Sequence, residues 1–343
     1  MRAIVYSETG ASDVLREVDR PIPEPGPGEV RVRVFVSGVN PTDWRNRTGS
    51  ASIASENGEQ TPNQDGSGVI DAVGPGVIGL AVGDRVWLFL SAFQRPTGTA
   101  QEFTILPIER VAALPDGVSF DVGASLGVPA LTAHRALTVH EDGPSRLAPG
   151  ALKGRFVLVA GGAGAVGHAA IQLAHWAGAT IITTVSSAEK AALATAAGAD
   201  VVVNYREEDA AARIREAAPA GVDIVVEVSP SANAALNAAV IANRGVVAVY
   251  ATDGDGRLTL DVRQHFGLNV RYQFVLLYTF GAAALAAAVA DVGAALRDGA
   301  LPVGSEAGLP ITRFTLEETA AAHDAVAAGA VGKVLIDVTV AGL

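Results

Sequence analysis

The chain has 343 residues, a formal net charge of -11 and no cysteine. That length exceeds what one hydrophobic core usually serves, so two domains sharing a ligand cleft are expected. The acidity opposes a nucleic-acid partner, which needs clustered Lys and Arg, and the lack of thiols removes disulfides, thiolate catalysis and every thiolate-held zinc or iron–sulfur centre.

The opening MRAIVYSETG lacks the long apolar core of a signal peptide, and no apolar run reaches about 18 residues, so no membrane span is expected and the expected location is cytoplasmic. Up to about residue 125, short β-type runs alternate with Gly and Pro punctuation, as in EVRVRVFVSGV, GSGVIDAVGPGV, DRVWLFL and AQEFTIL. Val30, Val32, Val34 and Val36 fall on one face and Arg31 and Arg33 on the other, the period of two of a half-buried strand. This half reads as a mostly antiparallel β domain.

From there six apolar runs begin near Phe156, Thr180, Asp200, Val222, Gly245 and Asn269, separated by alanine-rich helical stretches. Strands alternating with helices predict an α/β, Rossmann-type, doubly wound parallel sheet. The expected division is 1–125 for the first domain, 126–278 for the Rossmann domain, and 279–343 rejoining the first. The stretch from Ala282 to Leu296 is broken by Asp291 and reads as a packed helix, not a membrane span.

Phe156–Ala160 leads directly into Gly162, Gly164 and Gly167 in the order G-x-G-x-x-G, and a helix follows. A dinucleotide diphosphate needs close backbone approach and amides at a helix N-terminus, and glycine permits both. Gly161, Gly162, Gly164, Ala165, Val166 and Gly167 are therefore assigned to the diphosphate. At the end of the next strand, where NAD enzymes present a carboxylate to the ribose, stand Ser186 and Ser187, with Lys190 one turn onward. Hydroxyls tolerate a 2′-phosphate and the lysine supplies charge, so NADPH is the expected cofactor. Ser186-x-x-Glu189 reads as a capping box opening the following helix.

Three other patterns carry less. Gly123-x-Ser125-x-Gly127 matches a serine-hydrolase elbow, with His323 downstream, but DGVSFDV before it contains no β run and suggests a helix start at Ser119. His168 and His175 lie two helical turns apart, a packed face and not a metal pair. Asp43 with Arg45 and Arg47 reads as a local ion pair.

With these pieces placed, the chain resembles the zinc-free quinone oxidoreductase and zeta-crystallin branch of the medium-chain dehydrogenase/reductase superfamily. The matching stretches are SGVNPTDWRNRTG, DGSGVIDAVGPGV with GDRV, GTAQEF, GVPALTAHRAL, VLVAGGAGAVG, VVNYREED and GKVLIDV. The resemblance implies a GroES-like first domain. It also implies lost metal ligands: Asn40 stands where zinc-dependent relatives carry cysteine, and Asn63-Gln64-Asp65 where they carry Gly-His-Glu, so no metal is expected. By the same likeness Asn40 lies beside nicotinamide and substrate, where it is the candidate catalytic hydrogen-bond donor, and Thr132 lies near the carboxamide. Tyr205 meets the adenosine phosphate, and Phe274, Val275 and Leu276 wall the nicotinamide. Trp44 and Arg45 replace a substrate-side tyrosine of relatives, and Ala251 replaces a glycine near the cofactor.

The implied activity is NADPH-dependent reduction of a quinone or another electron-poor conjugated carbonyl bound between the domains. An enoyl or alkenal reductase, a noncatalytic NADPH-binding protein and a serine hydrolase are the alternatives. A homodimer formed at an exposed sixth strand is expected; tetramers also occur among relatives.

Overall fold

The computed structural model describes residues 1–50, 58–252 and 254–339. Along the chain run β1 (Arg2–Val5), β2 (Arg16–Asp19), β3 (Glu29–Val39), α1 (Pro41–Arg47), β4 (Asp65–Val73), β5 (Arg85–Leu88), β6 (Phe103–Pro107), β7 (Val111–Ala113), α2 (Phe120–Ala124) and α3 (Gly127–Leu137). A regular alternation follows: β8 (Phe156–Ala160), α4 (Ala165–Trp176), β9 (Thr180–Val185), α5 (Ala188–Ala196), β10 (Val201–Asn204), α6 (Ala210–Ala217), β11 (Val222–Glu227), α7 (Pro230–Val240) and β12 (Ile241–Val249). The remainder is α8 (Val262–Leu268), β13 (Arg271–Phe274), α9 (Ala282–Arg297), β14 (Ile311–Thr315), α10 (Thr319–Ala327) and β15 (Lys333–Asp337). Contacts divide the chain into two units, Met1–Val128 with Ile311–Leu343, and Pro129–Pro310.

The first unit is built on a seven-stranded sheet of order β14-β15-β3-β4-β5-β7, with β6 also paired to β3. Every pairing is antiparallel except β14 with β15. The alternation in β3 is realised as far as Val34: Val30, Val32 and Val34 are buried in one cluster with Ile70, Val86, Leu106, Val334 and Ile336, whereas a register shift between Val34 and Val36 places the buried Val36 in a separate cluster with Ala124 and Leu335. Register then decides what gathers at one end of the sheet. Gly38 opposes Asp65 in β4, and Val39 opposes Val334 in β15. Asn40, Asp65 and Lys333, far apart in sequence, are thereby delivered to the same sheet end.

The second unit holds a six-stranded, wholly parallel sheet of order β10-β9-β8-β11-β12-β13. Its strands are near-continuous apolar runs because helices cover both faces; Val157, Leu158, Val159, Ile181, Val225 and Val247 are all buried. The order reverses between β8 and β11, and ligands of open α/β sheets bind beyond the carboxyl ends of strands at such a point. Two sequence boundaries move. β12 begins at Ile241, not near Gly245. Residues 279–310, expected in the first domain, lie in the second unit. There Asp291 of α9 is buried and accepts from His134 Nε2 at 2.8 Å and from the Leu147 N–H at 2.7 Å, which ties that helix to its own unit.

Candidate functional site

The turn after β8 is shaped by contacts that only glycine allows. Gly161 takes a left-handed φ of 73°. At Gly162 a β-carbon would lie 2.3 Å from the Thr183 hydroxyl, and at Gly167 it would lie 2.4 Å from the Gly161 carbonyl oxygen, so these two let strand, turn and helix close together. Gly164 is different. It caps α4 with an ordinary φ of -83°, and a β-carbon there would meet nothing nearer than 3.5 Å. Nothing inside the protein requires glycine at 164, and its absent side chain leaves the turn open to approach from outside. The first turn of α4, from Ala165 through Val166 to Gly167, offers backbone N–H groups without intrahelical partners together with the positive end of the helix dipole. This cradle fits a diphosphate.

Beyond β9, Lys190 Nζ donates to Ser186 Oγ at 3.2 Å, and the Ser187 hydroxyl accepts the Lys190 backbone N–H at 3.3 Å. The cap of α5 is therefore Ser187, one residue later than the Ser186-x-x-Glu189 box expected, because β9 stays extended through Val185 and a bend at Ser186 precedes the helix. That shift frees Ser186 to face the ammonium. Tyr205 begins beside them, its N–H donating to the Val185 carbonyl at 3.1 Å, and its side chain is exposed. Ser186, Ser187, Lys190 and Tyr205 thus share the carboxyl edge of β9 and β10. Ala251 and the run Phe274–Leu276 leave the same edge of the sheet after β12 and at the end of β13; Val275 is buried, whereas Phe274 is 65% exposed and Leu276 is 40% exposed. Thr132 is buried on α3.

Glu227, at the carboxyl end of β11, escaped the sequence reading. Its side chain is buried and accepts from the Ser229 N–H at 2.6 Å, from Asn233 Nδ2 at 2.9 Å and from Asn237 Nδ2 at 2.6 Å. Three donors, one just before α7 and two along it, satisfy the buried carboxylate. The signal available in the sequence was a charge at the end of an apolar strand followed by Asn at i+6 and i+10.

In the first unit Asn40, Asp43, Asp65 and Lys333 are all buried. Asn40 Nδ2 donates to Asp65 Oδ2 at 2.7 Å, and Lys333 Nζ donates to Asn40 Oδ1 at 2.7 Å. Asp65 also accepts the Val128 N–H on both oxygens, at 2.9 and 3.0 Å. Burial pushes the Asp65 carboxyl up and the Lys333 ammonium down, and each opposes the shift of the other. Asp43 is not the partner of Arg45 and Arg47 that the sequence suggested. As the third residue of α1 it turns back to accept the Asn40 N–H at 2.7 Å and reaches the Gln64 N–H at 3.1 Å. Burial, with Asp65 nearby, raises it to about 8. Arg45 stacks on the Trp44 ring at 5.4 Å.

Asn63 takes a left-handed φ of 77°, which Asn tolerates better than most residues. It is held by a one-way chain of hydrogen bonds. His323 Nε2 lies 2.9 Å from Asn63 Oδ1, Asn63 Nδ2 donates to Ser37 Oγ at 2.9 Å, Ser37 meets the Thr99 hydroxyl at 2.7 Å, and Thr99 donates to the Asp65 carbonyl at 2.6 Å. Because Thr99 gives its proton away, each earlier member must donate forward, which fixes His323 with its proton on Nε2.

The hydrolase reading fails on geometry. Ser125 closes α2 with an αR backbone and donates to the Asp121 carbonyl at 2.7 Å, so helix and not strand precedes it; Ser119 caps α2 as expected. His168 is a packing residue, its Nε2 on the Ala307 carbonyl at 2.7 Å. Among the described residues no cluster of three or more His, Cys, Asp or Glu is placed to hold a metal.

Two family models match: an alcohol dehydrogenase GroES-like domain over residues 26–116 and a zinc-binding dehydrogenase domain over residues 165–291. A rat quinone oxidoreductase is 34% identical over 235 residues, 68% of each chain. A mycobacterial protein solved in complex with NADPH superposes with a TM-score of 0.81 and 31% identity, covering 98% of this chain and 100% of that one. An NADPH-dependent alkenal/one oxidoreductase of Arabidopsis thaliana is 32% identical over 61% of this chain and 53% of its own length.

Proposed function

This chain belongs to the quinone oxidoreductase branch of the medium-chain dehydrogenase/reductase superfamily, and we propose from that membership that it reduces quinones or similarly electron-poor conjugated carbonyls with NADPH. The observation that carries the cofactor is the Lys190 ammonium resting on Ser186 at the edge of the glycine cradle. Ser186, Ser187, Lys190 and Tyr205 hold the 2′-phosphate side of NADPH, where a carboxylate would repel it. The turn from Gly161 to Gly167 holds the diphosphate, with the approach left open at Gly164. Thr132, Ala251 and Phe274 to Leu276 bound the nicotinamide end.

When bound, NADPH supplies a hydride from its nicotinamide ring. Asn40 donates a hydrogen bond to the acceptor oxygen and orients the acceptor for transfer, with Trp44 and Arg45 beside it as substrate contacts. The reaction runs without zinc: the chain has no cysteine, and the positions of the metal-binding relatives' ligands hold Asn40 and Gln64. An acceptor that no metal polarises must be electrophilic by itself, which favours quinones and enones over simple ketones. The similarity to the alkenal/one oxidoreductase supports conjugated alkenals as the second substrate class.

The protein acts as a homodimer joined at β13. That strand is one of the two terminal strands of its sheet among the described residues, and it carries exposed Phe274 close in sequence to exposed Val262 and Phe266 of α8.

Titration with NADPH and NADH, followed by oxidation rates with 1,4-benzoquinone and a 2-alkenal, tests the reading. NADPH is expected to bind more tightly and benzoquinone to turn over faster. Tighter NADH binding, or no turnover of either acceptor, defeats it.

A further inference from the structure

We infer that Lys333 is the positioning residue that fixes the orientation of the Asn40 amide and polarises it as a donor. The inference rests on the proposed role of Asn40 toward the acceptor oxygen.

A carboxamide has nearly the same shape whichever way it is turned, so its neighbours decide which end is oxygen. As the ammonium–carboxylate pair in which each charge offsets the burial of the other at 3.7 Å, the two neighbours have fixed roles. An ammonium only donates, and Lys333 Nζ stands 2.7 Å from one end of the Asn40 amide; an ionised carboxylate only accepts, and Asp65 Oδ2 stands 2.7 Å from the other. Reversal would set N–H against ammonium and oxygen against carboxylate, away from water. The backbone is fixed too, through the Asn40 N–H on Asp43.

The clamp is itself braced. Asp65 is held by the Val128 N–H, and a β-carbon at Gly127 would lie 2.1 Å from Asp65 Oδ1. The Lys333 side chain runs past Gly38, where a β-carbon would press on its Cε at 3.2 Å and on the Ala124 carbonyl oxygen at 2.1 Å. Lys333 itself lies 3.7 Å from Asp65 Oδ2, with side-chain exposures of 1% and 0%. Apolar side chains replace such buried pairs with little loss, so stability alone does not call for a lysine in front of the buried apolar run Val334, Leu335 and Ile336.

The amide nitrogen carries two protons. One goes to Asp65, and the second has no partner among the described residues. A cation on the amide oxygen draws electron density from the conjugated nitrogen and strengthens that remaining N–H as a donor, the cooperative effect of linked hydrogen bonds.

A double-mutant cycle separates this inference from the one beneath it. Asn40→Ala is expected to lower kcat about 100-fold with little change in NADPH affinity; an unchanged kcat would sink the role of Asn40 itself. Lys333→Met should lower kcat at least about tenfold in the parent and less than about twofold in the Asn40→Ala background, the signature of action through Asn40. Equal losses in both backgrounds would overturn the inference while leaving Asn40 in place. Lys333→Gln, which still donates but has no charge, should fall between and serves as the same test if the methionine variant does not fold. A readout free of turnover is the side-chain amide signal of Asn40 in ligand-free, 15N-asparagine-labelled protein, identified by its loss in Asn40→Ala. One of its two protons should exchange slowly and the other fast, and both should shift in Lys333→Gln. Equal exchange of the two protons in the parent protein overturns the clamp whatever the variants do.

Discussion

Gly162 lies so close to Thr183 that a β-carbon on the glycine would sit 2.3 Å from the threonine hydroxyl, which itself donates to the Val159 carbonyl at 2.8 Å. Two glycines of one motif thereby have different reasons to exist. Gly162→Ala overpacks the β8–β9 interface and is expected to cost about 1–3 kcal/mol, read as a lower Tm. Gly164→Ala has room, so its stability loss should stay within about 1 kcal/mol, the size of a weakened helix cap. NADPH affinity should nonetheless fall at least about tenfold in Gly164→Ala, or about 1.4 kcal/mol. Parent-like binding by that variant would remove the diphosphate from this turn.

Lys190→Ala deletes the charge beside Ser186 while leaving the Ser187 cap intact, since the cap uses the lysine backbone. A charge-assisted hydrogen bond contributes about 1.5–3 kcal/mol. NADPH should therefore bind roughly ten- to a hundredfold more weakly, and NADH should be nearly unaffected. Fluorescence titrations with both nucleotides decide it; equal losses mean that Lys190 does not meet the 2′-phosphate.

His168 gives stability a pH dependence of known sign. Burial pushes its imidazole down from 6.5 to about 4, against the opposing bond to the Ala307 carbonyl. Above pH 6.5 folded and unfolded states are both neutral there. Between pH 6.5 and about 4 the unfolded chain binds the extra proton, so stability falls as pH falls, by at most about 1.4 kcal/mol per pH unit from this group. Below about 4 the contribution levels off. Tm measured from pH 7 to 4 should drop less steeply in His168→Gln than in the parent; parallel curves would show that the imidazole is not held neutral.

Phe274 is 65% exposed on the edge strand β13. Placing lysine there discourages strand addition. Sedimentation velocity at micromolar concentration should give a dimer for the parent and a monomer for Phe274→Lys. A parent protein sedimenting as a monomer would discard the edge-strand interface.

Much of this was legible along the chain. The six runs became β8 to β13 because a parallel sheet buried on both faces demands continuous apolar segments, and their alternation with helices has few other solutions. Gly162 and Gly167 announced their turn because the close approach is made to residues of the same βαβ unit. Local chemistry likewise placed Ser119 at a helix start. Local reading erred where two partners competed for one side chain. Asp43 turned from Arg45 and Arg47 to the backbone of its own helix entry, since an N–H deprived of water must find an acceptor. Ser187 took the cap expected of Ser186 because a bend at Ser186 separates the end of β9 from the start of α5.

The sequence by itself determined the two-part architecture, the glycine turn between β8 and α4 and the absence of thiolate chemistry, because each depends on composition or on contacts within one βαβ unit. Only the tertiary structure brought Lys333 to Asn40 across 293 residues. The lysine opens a strand in the sequence and becomes an amide's partner only through the registers of β3, β4 and β15. Register is fixed by which valines face the core along the whole strand, and that is a property of paired strands which no single segment carries.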